Sequence, residues 1–115
     1  MQAFDANLTG YQNVAIGESA MSTLTQGYMN VGVGFSALQV ATNVSGNTMI
    51  GFQSGIATTT GSYNTGLGAR ALQAHTTGTN NTALGYAAGT GIVGGTGNVA
   101  IGYRAAENTG GTHNY

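Results

Sequence analysis

Arg70 and Arg104 stand 34 residues apart, Tyr86 and Tyr103 stand 17 apart, and these four side chains are the best equipped for molecular recognition. A guanidinium offers a planar fork that grips a carboxylate, and an exposed aromatic pair is a surface on which a sugar can rest. With Gln53 taken as lying between the two arginines, the set could bind a sugar or a carboxylate. The plainer alternative makes the arginines exposed solubilising positions and packs the tyrosines beneath an outer turn.

Other chemistry finds less support. His75 and His113 are the only imidazoles and fall in different structural columns, so one chain cannot supply the several facial ligands of a metal site. They read as solvated loop histidines, unless a threefold axis gathers three copies of one. The acids Asp5, Glu18 and Glu107 are scattered, there is no Cys, and no Ser, His and acid fall together, so no catalytic or metal site and no enzyme is expected. Gly89-Thr90-Gly91-Ile92-Val93-Gly94 spells a dinucleotide fingerprint, but it replaces an outer turn and opens no helix, so no cofactor is expected. Sequons at Asn7, Asn43 and Asn80 matter only in a eukaryotic host.

These residues hang on a repeat. Asn13, Asn30, Asn47, Asn64, Asn81 and Asn98 recur every 17 residues, and Gly17, Gly34, Gly51, Gly68, Gly85 and Gly102 follow four places behind each. That period suits one turn of a parallel β-solenoid, so the expected fold is all-β, with nearly seven coils over residues 1–115. A column of identical Asn can stack its amides coil over coil at the strand spacing of about 4.8 Å. The Gly column supplies the backbone freedom for a sharp turn.

Between these columns the pattern alternates. Val14, Val31, Thr48, Thr65, Thr82 and Val99 share one column, and Ile16, Val33, Ile50, Leu67, Leu84 and Ile101 share another two places on. Both lie on one face of a first strand, filling either the core of the roll or an interchain seam. The small column between them (Ala15, Gly32, Met49, Gly66, Ala83, Ala100) implies close backbone approach on the other face. A bulky column (Glu18, Phe35, Phe52, Ala69, Tyr86, Tyr103) and then a small one (Ala20, Ala37, Ser54, Ala71, Ala88, Ala105) read as a second strand, and polar stretches such as Thr58-Thr59-Thr60-Gly61 close the coil.

Composition limits the partners. Charged residues make up 4% of the chain, net charge is −1 and no basic cluster exists, so neither nucleic acid nor an anionic membrane surface is an expected partner. Apolar runs reach three or four residues, too short for a membrane-spanning helix or a signal peptide. The absence of Cys excludes disulfides, and the absence of Pro suits dense ladder hydrogen bonding. Counting by 17, both ends fall inside a coil without visible caps, as expected for a segment of a longer fibre or for ends that stack on other copies.

The unit Asn-Val-Ala-Ile-Gly, at 13–17 and again at 98–102, resembles the head repeats of YadA-like trimeric autotransporter adhesins. Longer units such as Gly61-Ser62-Tyr63-Asn64-Thr65-Gly66-Leu67-Gly68 look like repeats of phage tail fibres. The resemblance covers the whole chain, although the period of 17 is longer than the unit usual in YadA-like heads and nothing resembles a neck, stalk or anchor. It implies a left-handed β-roll, a side-by-side homotrimer, an extracellular, cell-surface or virion-fibre location, and adhesion or contact with a host receptor, a glycan being one candidate.

Two other functions compete. Thr25, Thr42, Thr59 and Thr76 form a column flanked by Thr60 and Thr77, so the chain could order water as an ice-binding solenoid, although the column breaks at Val93 and Gly110. A purely structural filament of stacked coils is the third reading.

Overall fold

The computed structural model describes residues 9–108 and shows an all-β parallel solenoid of about five turns, with coils of about 17 residues and no helix among the described residues. The expected count of nearly seven coils includes residues outside those described, and the expectations for Asp5, Asn7, Gly110, His113 and the two chain ends lie outside them as well.

Among the described residues there are eight strands of three residues each: β1 (Val14–Ile16), β2 (Gln26–Tyr28), β3 (Val31–Val33), β4 (Asn43–Ser45), β5 (Thr48–Ile50), β6 (Thr65–Leu67), β7 (Thr82–Leu84) and β8 (Val99–Ile101). Six form one parallel sheet in the order β1-β3-β5-β6-β7-β8, and β2 pairs with β4 in a second sheet. Register follows the repeat, with Val14 opposite Val31, Ala15 opposite Gly32 and Ile16 opposite Val33. The stack measures 36 × 20 × 17 Å.

The six strands of the larger sheet are short because both flanking columns stop them. Ahead of each, an Asn side chain joins the backbone of the next coil. Asn64 Oδ1 accepts the Asn81 backbone N–H at 2.9 Å and its side-chain amide at 3.0 Å, while Asn64 Nδ2 donates to Asn47 Oδ1 at 3.1 Å and to the Gly78 carbonyl at 3.0 Å. The same pattern links Asn13, Asn30, Asn47, Asn81 and Asn98. Behind each strand, the Gly column adopts a φ near +130°, as at Gly34 (+133°), where an L side chain is strained. Space is short there too: a Cβ on Gly17 would lie 2.7 Å from the Gly34 carbonyl oxygen.

The segment after the Gly is a run of turns, which corrects the expected second strand. Ala20, Ala37 and Ser54 donate their N–H groups to the carbonyls three residues back, Gly17, Gly34 and Gly51, each at 3.2 Å. Two columns here hold left-handed backbone, for example Ser19 (φ 61°), Arg70 (61°) and Arg104 (55°) in one and Met21 (48°), Leu38 (52°) and Leu72 (51°) in the other. Neither column contains a β-branched residue, the type that tolerates this region least. The second sheet lies in the stretch expected to be an outer turn, and only where Gly27 and Val44 supply a buried centre.

The small column of the first strand faces inward and the aliphatic column faces out. Met49, Ala83 and Ala100 are fully buried, whereas Ile16, Ile50, Leu84 and Ile101 are exposed. The small column makes room for inward side chains, from the neighbouring strand or from across the coil, where backbone approach was expected. A Cβ on Gly66 would meet Met49 Sδ at 2.6 Å, and one on Gly32 would meet Met21 Cε at 2.9 Å. Large and small residues therefore interdigitate in a thin core that also holds Leu24, Leu38, Leu72 and Ile92.

Candidate functional site

The residues flagged for recognition meet in one cleft. Arg70, Tyr86, Tyr103 and Arg104 all line an open cavity of about 350 Å³, together with Gln73, Ala87, Thr90 and Glu107. The repeat explains its shape. Ala87 falls in the column between Arg70 and Arg104, and Thr90 falls between Gln73 and Glu107, so one coil carries short side chains where both neighbours carry long ones. The result is a notch with walls two coil steps apart, about 10 Å. Gln53 does not lie between the arginines: it belongs to the coil before Arg70, where its Oε1 accepts from Gln73 Nε2 at 3.1 Å.

The two walls differ electrostatically. Arg104 donates through Nε and Nη2 to both Glu107 carboxylate oxygens, each at 2.6 Å, and its guanidinium lies 6.0 Å from the Tyr103 ring centroid. Hydrogen bonding to Arg104 holds the Glu107 carboxyl below its usual pKa, and the same bond raises that of the guanidinium. This ion pair is exposed, so its worth lies in fixed geometry more than in stability. On the opposite wall, Arg70 Nη1 donates to the Tyr86 hydroxyl at 3.4 Å and meets no carboxylate among the described residues. Its left-handed backbone is shared by the whole column, so the fold fixes the base of the side chain.

Tyr86 and Tyr103 stack at 5.6 Å with 15° between planes, and both are exposed, not packed beneath an outer turn. Phe35 and Phe52 stack likewise at 5.5 Å, with Ala69 breaking the aromatic column. Tyr11 and Tyr28 form a further stack at 5.3 Å, and a hydrogen bond with Tyr28 raises the pKa of Tyr63. This second tyrosine group was not anticipated, although Tyr11 and Tyr28 are 17 residues apart.

His75 corrects an expectation. It is buried, not a solvated loop residue, because residues 24, 41, 58, 75 and 92 form an inward column of Leu, Ala, Thr, His and Ile. Nδ1 lies 3.4 Å from Thr58 Oγ1 and Nε2 lies 3.3 Å from Asn81 Nδ2. Burial pushes its pKa down to about 4, opposed in part by a hydrogen bond with the Gly78 backbone. Among the described residues no three His, Cys, Asp or Glu cluster as metal ligands, and no helix is long and apolar enough to cross a membrane.

The Thr column is engaged between adjacent coils. Thr25, Thr42, Thr59 and Thr76 donate their hydroxyls to the carbonyls of Thr42, Thr59, Thr76 and Val93 at 3.0 to 3.4 Å. None of the four lies in a strand.

Compared with protein-family models, curated proteins and solved structures, the chain matches none.

Proposed function

We propose that the chain is a structural and recognition module: a homotrimeric, extracellular fibre or adhesin-head segment, of the kind found in phage tail fibres or bacterial surface adhesins. It supports attachment to a host receptor, with a glycan as the candidate ligand. The observation that carries this reading is the outward column of the six-stranded sheet. Val14, Ile16, Ile50, Leu84, Val99 and Ile101 are large, apolar and exposed along one stripe of the rod. A soluble protein with such a stripe gains by covering it, and a parallel copy presents a stripe of the same pitch.

Threefold symmetry and the left-handed roll follow from the resemblance to adhesin heads and tail fibres. The thin core argues in the same direction, since a coil of this size buries little apolar surface alone. The cleft over Ala87 supplies a site for contact. Sedimentation equilibrium tests the reading: a mass of three times the 11.5 kDa chain is expected, and a monomer across the micromolar range refutes it.

A further inference from the structure

We infer that the notch over Ala87 binds a carboxylated sugar, a hexuronic or sialic acid residue, with its carboxylate on Arg70 and its hydroxyls on the opposite wall. This deepens the attachment reading by naming the ligand class, and rests on it only for biological context.

The asymmetry of the two arginines carries the argument. Glu107 already occupies the Arg104 fork through two hydrogen bonds of 2.6 Å. Arg70, with a single 3.4 Å bond to the Tyr86 hydroxyl, keeps most of its five donors for an incoming anion. The site thus has one free cation on one wall and, two coils along the rod, one fixed carboxylate on the other. A carboxylated pyranose matches that spacing of opposite tasks, because one side of its ring carries a charge for Arg70 while the hydroxyls donate to Glu107. Inorganic phosphate and sulfate match less well, since they bring little or no donor capacity and Glu107 repels them.

The remaining lining agrees. The cavity of about 350 Å³ is at the small end of ligand sites and suits one sugar unit. Gln73 offers an amide, and Tyr86 and Tyr103 hold their rings rigidly by stacking at 5.6 Å. Thr90 Oγ1 is buried without a hydrogen-bond partner among the described residues, so a χ1 rotation that turns it into the cleft breaks no existing bond.

Titration calorimetry on the full chain tests this with glucuronate and N-acetylneuraminate as probes and with glucose and inorganic phosphate as controls. At least one acid sugar should bind with a Kd of about 1 mM, and both controls should bind roughly tenfold or more weakly. Arg70→Gln should weaken the acid sugar about tenfold. Ala87→Gln should do the same by filling the notch, and Gln53 already occupies the same left-handed column (φ 55°), so the backbone accepts it. If Ala87→Gln fails to fold by circular dichroism, the exposed Arg70→Gln decides alone. Binding of glucose or phosphate as tight as that of the acids, no acid binding at about 20 mM, or indifference to Arg70→Gln overturns the proposal. Sedimentation of the same samples separates the two readings: a trimer that ignores acid sugars loses only this site, and a monomer that binds them loses only the fibre assembly.

Discussion

His75 Nε2 lies 3.3 Å from Asn81 Nδ2 inside the coil, which joins the buried imidazole to the polar ladder. With its proton on Nδ1, the ring can donate to Thr58 Oγ1 while its bare Nε2 faces the Asn81 amide, whose two N–H groups donate to Asn64 Oδ1 and the Gly95 carbonyl. A second proton would set donor against donor in a desolvated site.

Acid should therefore weaken the fold through this residue. The folded pKa is about 4 and the unfolded value is 6.5, so the unfolded chain binds the proton more readily between those limits. Stability is flat above pH 6.5, falls as pH drops, and has lost about 3 kcal/mol at pH 4. His75→Leu puts in place the residue that Leu24 supplies in the same column. Urea midpoints of the two proteins should diverge as pH falls from 7 to 4.5, and parallel curves would remove His75 as the cause. Glu107 titrates in both proteins and cancels in the difference.

The Asn ladder should be steeply position-dependent. Asn64→Ala removes four hydrogen bonds and leaves the Asn81 backbone N–H without its acceptor in a buried site. A loss of about 3 kcal/mol or more is expected. Asn13, half-buried in an outer described coil, should cost about 1 kcal/mol when replaced by Ala. Denaturant titration of both variants checks the order, and equal losses would mean that the ladder is not the source.

Gly68 and Gly102 separate two roles of the Gly column. Their φ values are similar, +135° and +121°, yet a Cβ on Gly68 would lie 2.5 Å from the Gly85 carbonyl oxygen while one on Gly102 meets nothing within 4 Å among the described residues. Gly102→Ala should cost the backbone strain alone, about 1 to 3 kcal/mol. Gly68→Ala adds a clash with the next coil and should leave little folded protein. Similar melting temperatures for the two would show that φ, and not the approach of coils, explains the column.

The visibility of these features in the sequence follows physical lines. Columns that repeat one residue type for one backbone reason, Asn64 with its neighbours and Gly68 with its own, were readable because the solenoid demands the same answer in every coil. The inward face of the first strand was not readable from parity, since alternation separates two faces without saying which is wet. Met49 was the available signal: a large apolar residue in a small column, with Gly55 and Gly66 nearby to make room. The second strand was misplaced because bulky and small columns alternate there too, whereas left-handed residues such as Arg70 and Leu72 forbid a strand. The arginines and tyrosines of the cleft were visible as chemistry. Its shape was not, because it depends on Ala87 and Thr90, residues notable only for being short.

The outward stripe yields the prediction closest to function. Ile50 and Leu84 are 40% and 45% exposed and belong to strands β5 and β7 of the six-stranded sheet. A lysine at either place costs the isolated coil little, because the side chain already meets solvent and its stem can lie along the sheet. Within a trimer seam the same ammonium would be buried without a partner, a penalty of several kcal/mol repeated in each subunit. Ile50→Lys and Leu84→Lys should therefore keep the circular dichroism spectrum of the parent and shift sedimentation toward single chains. Arg70→Gln, which is not a residue of the stripe, should leave the mass unchanged. Lysine variants that sediment like the parent would place the contacts between copies on some other face.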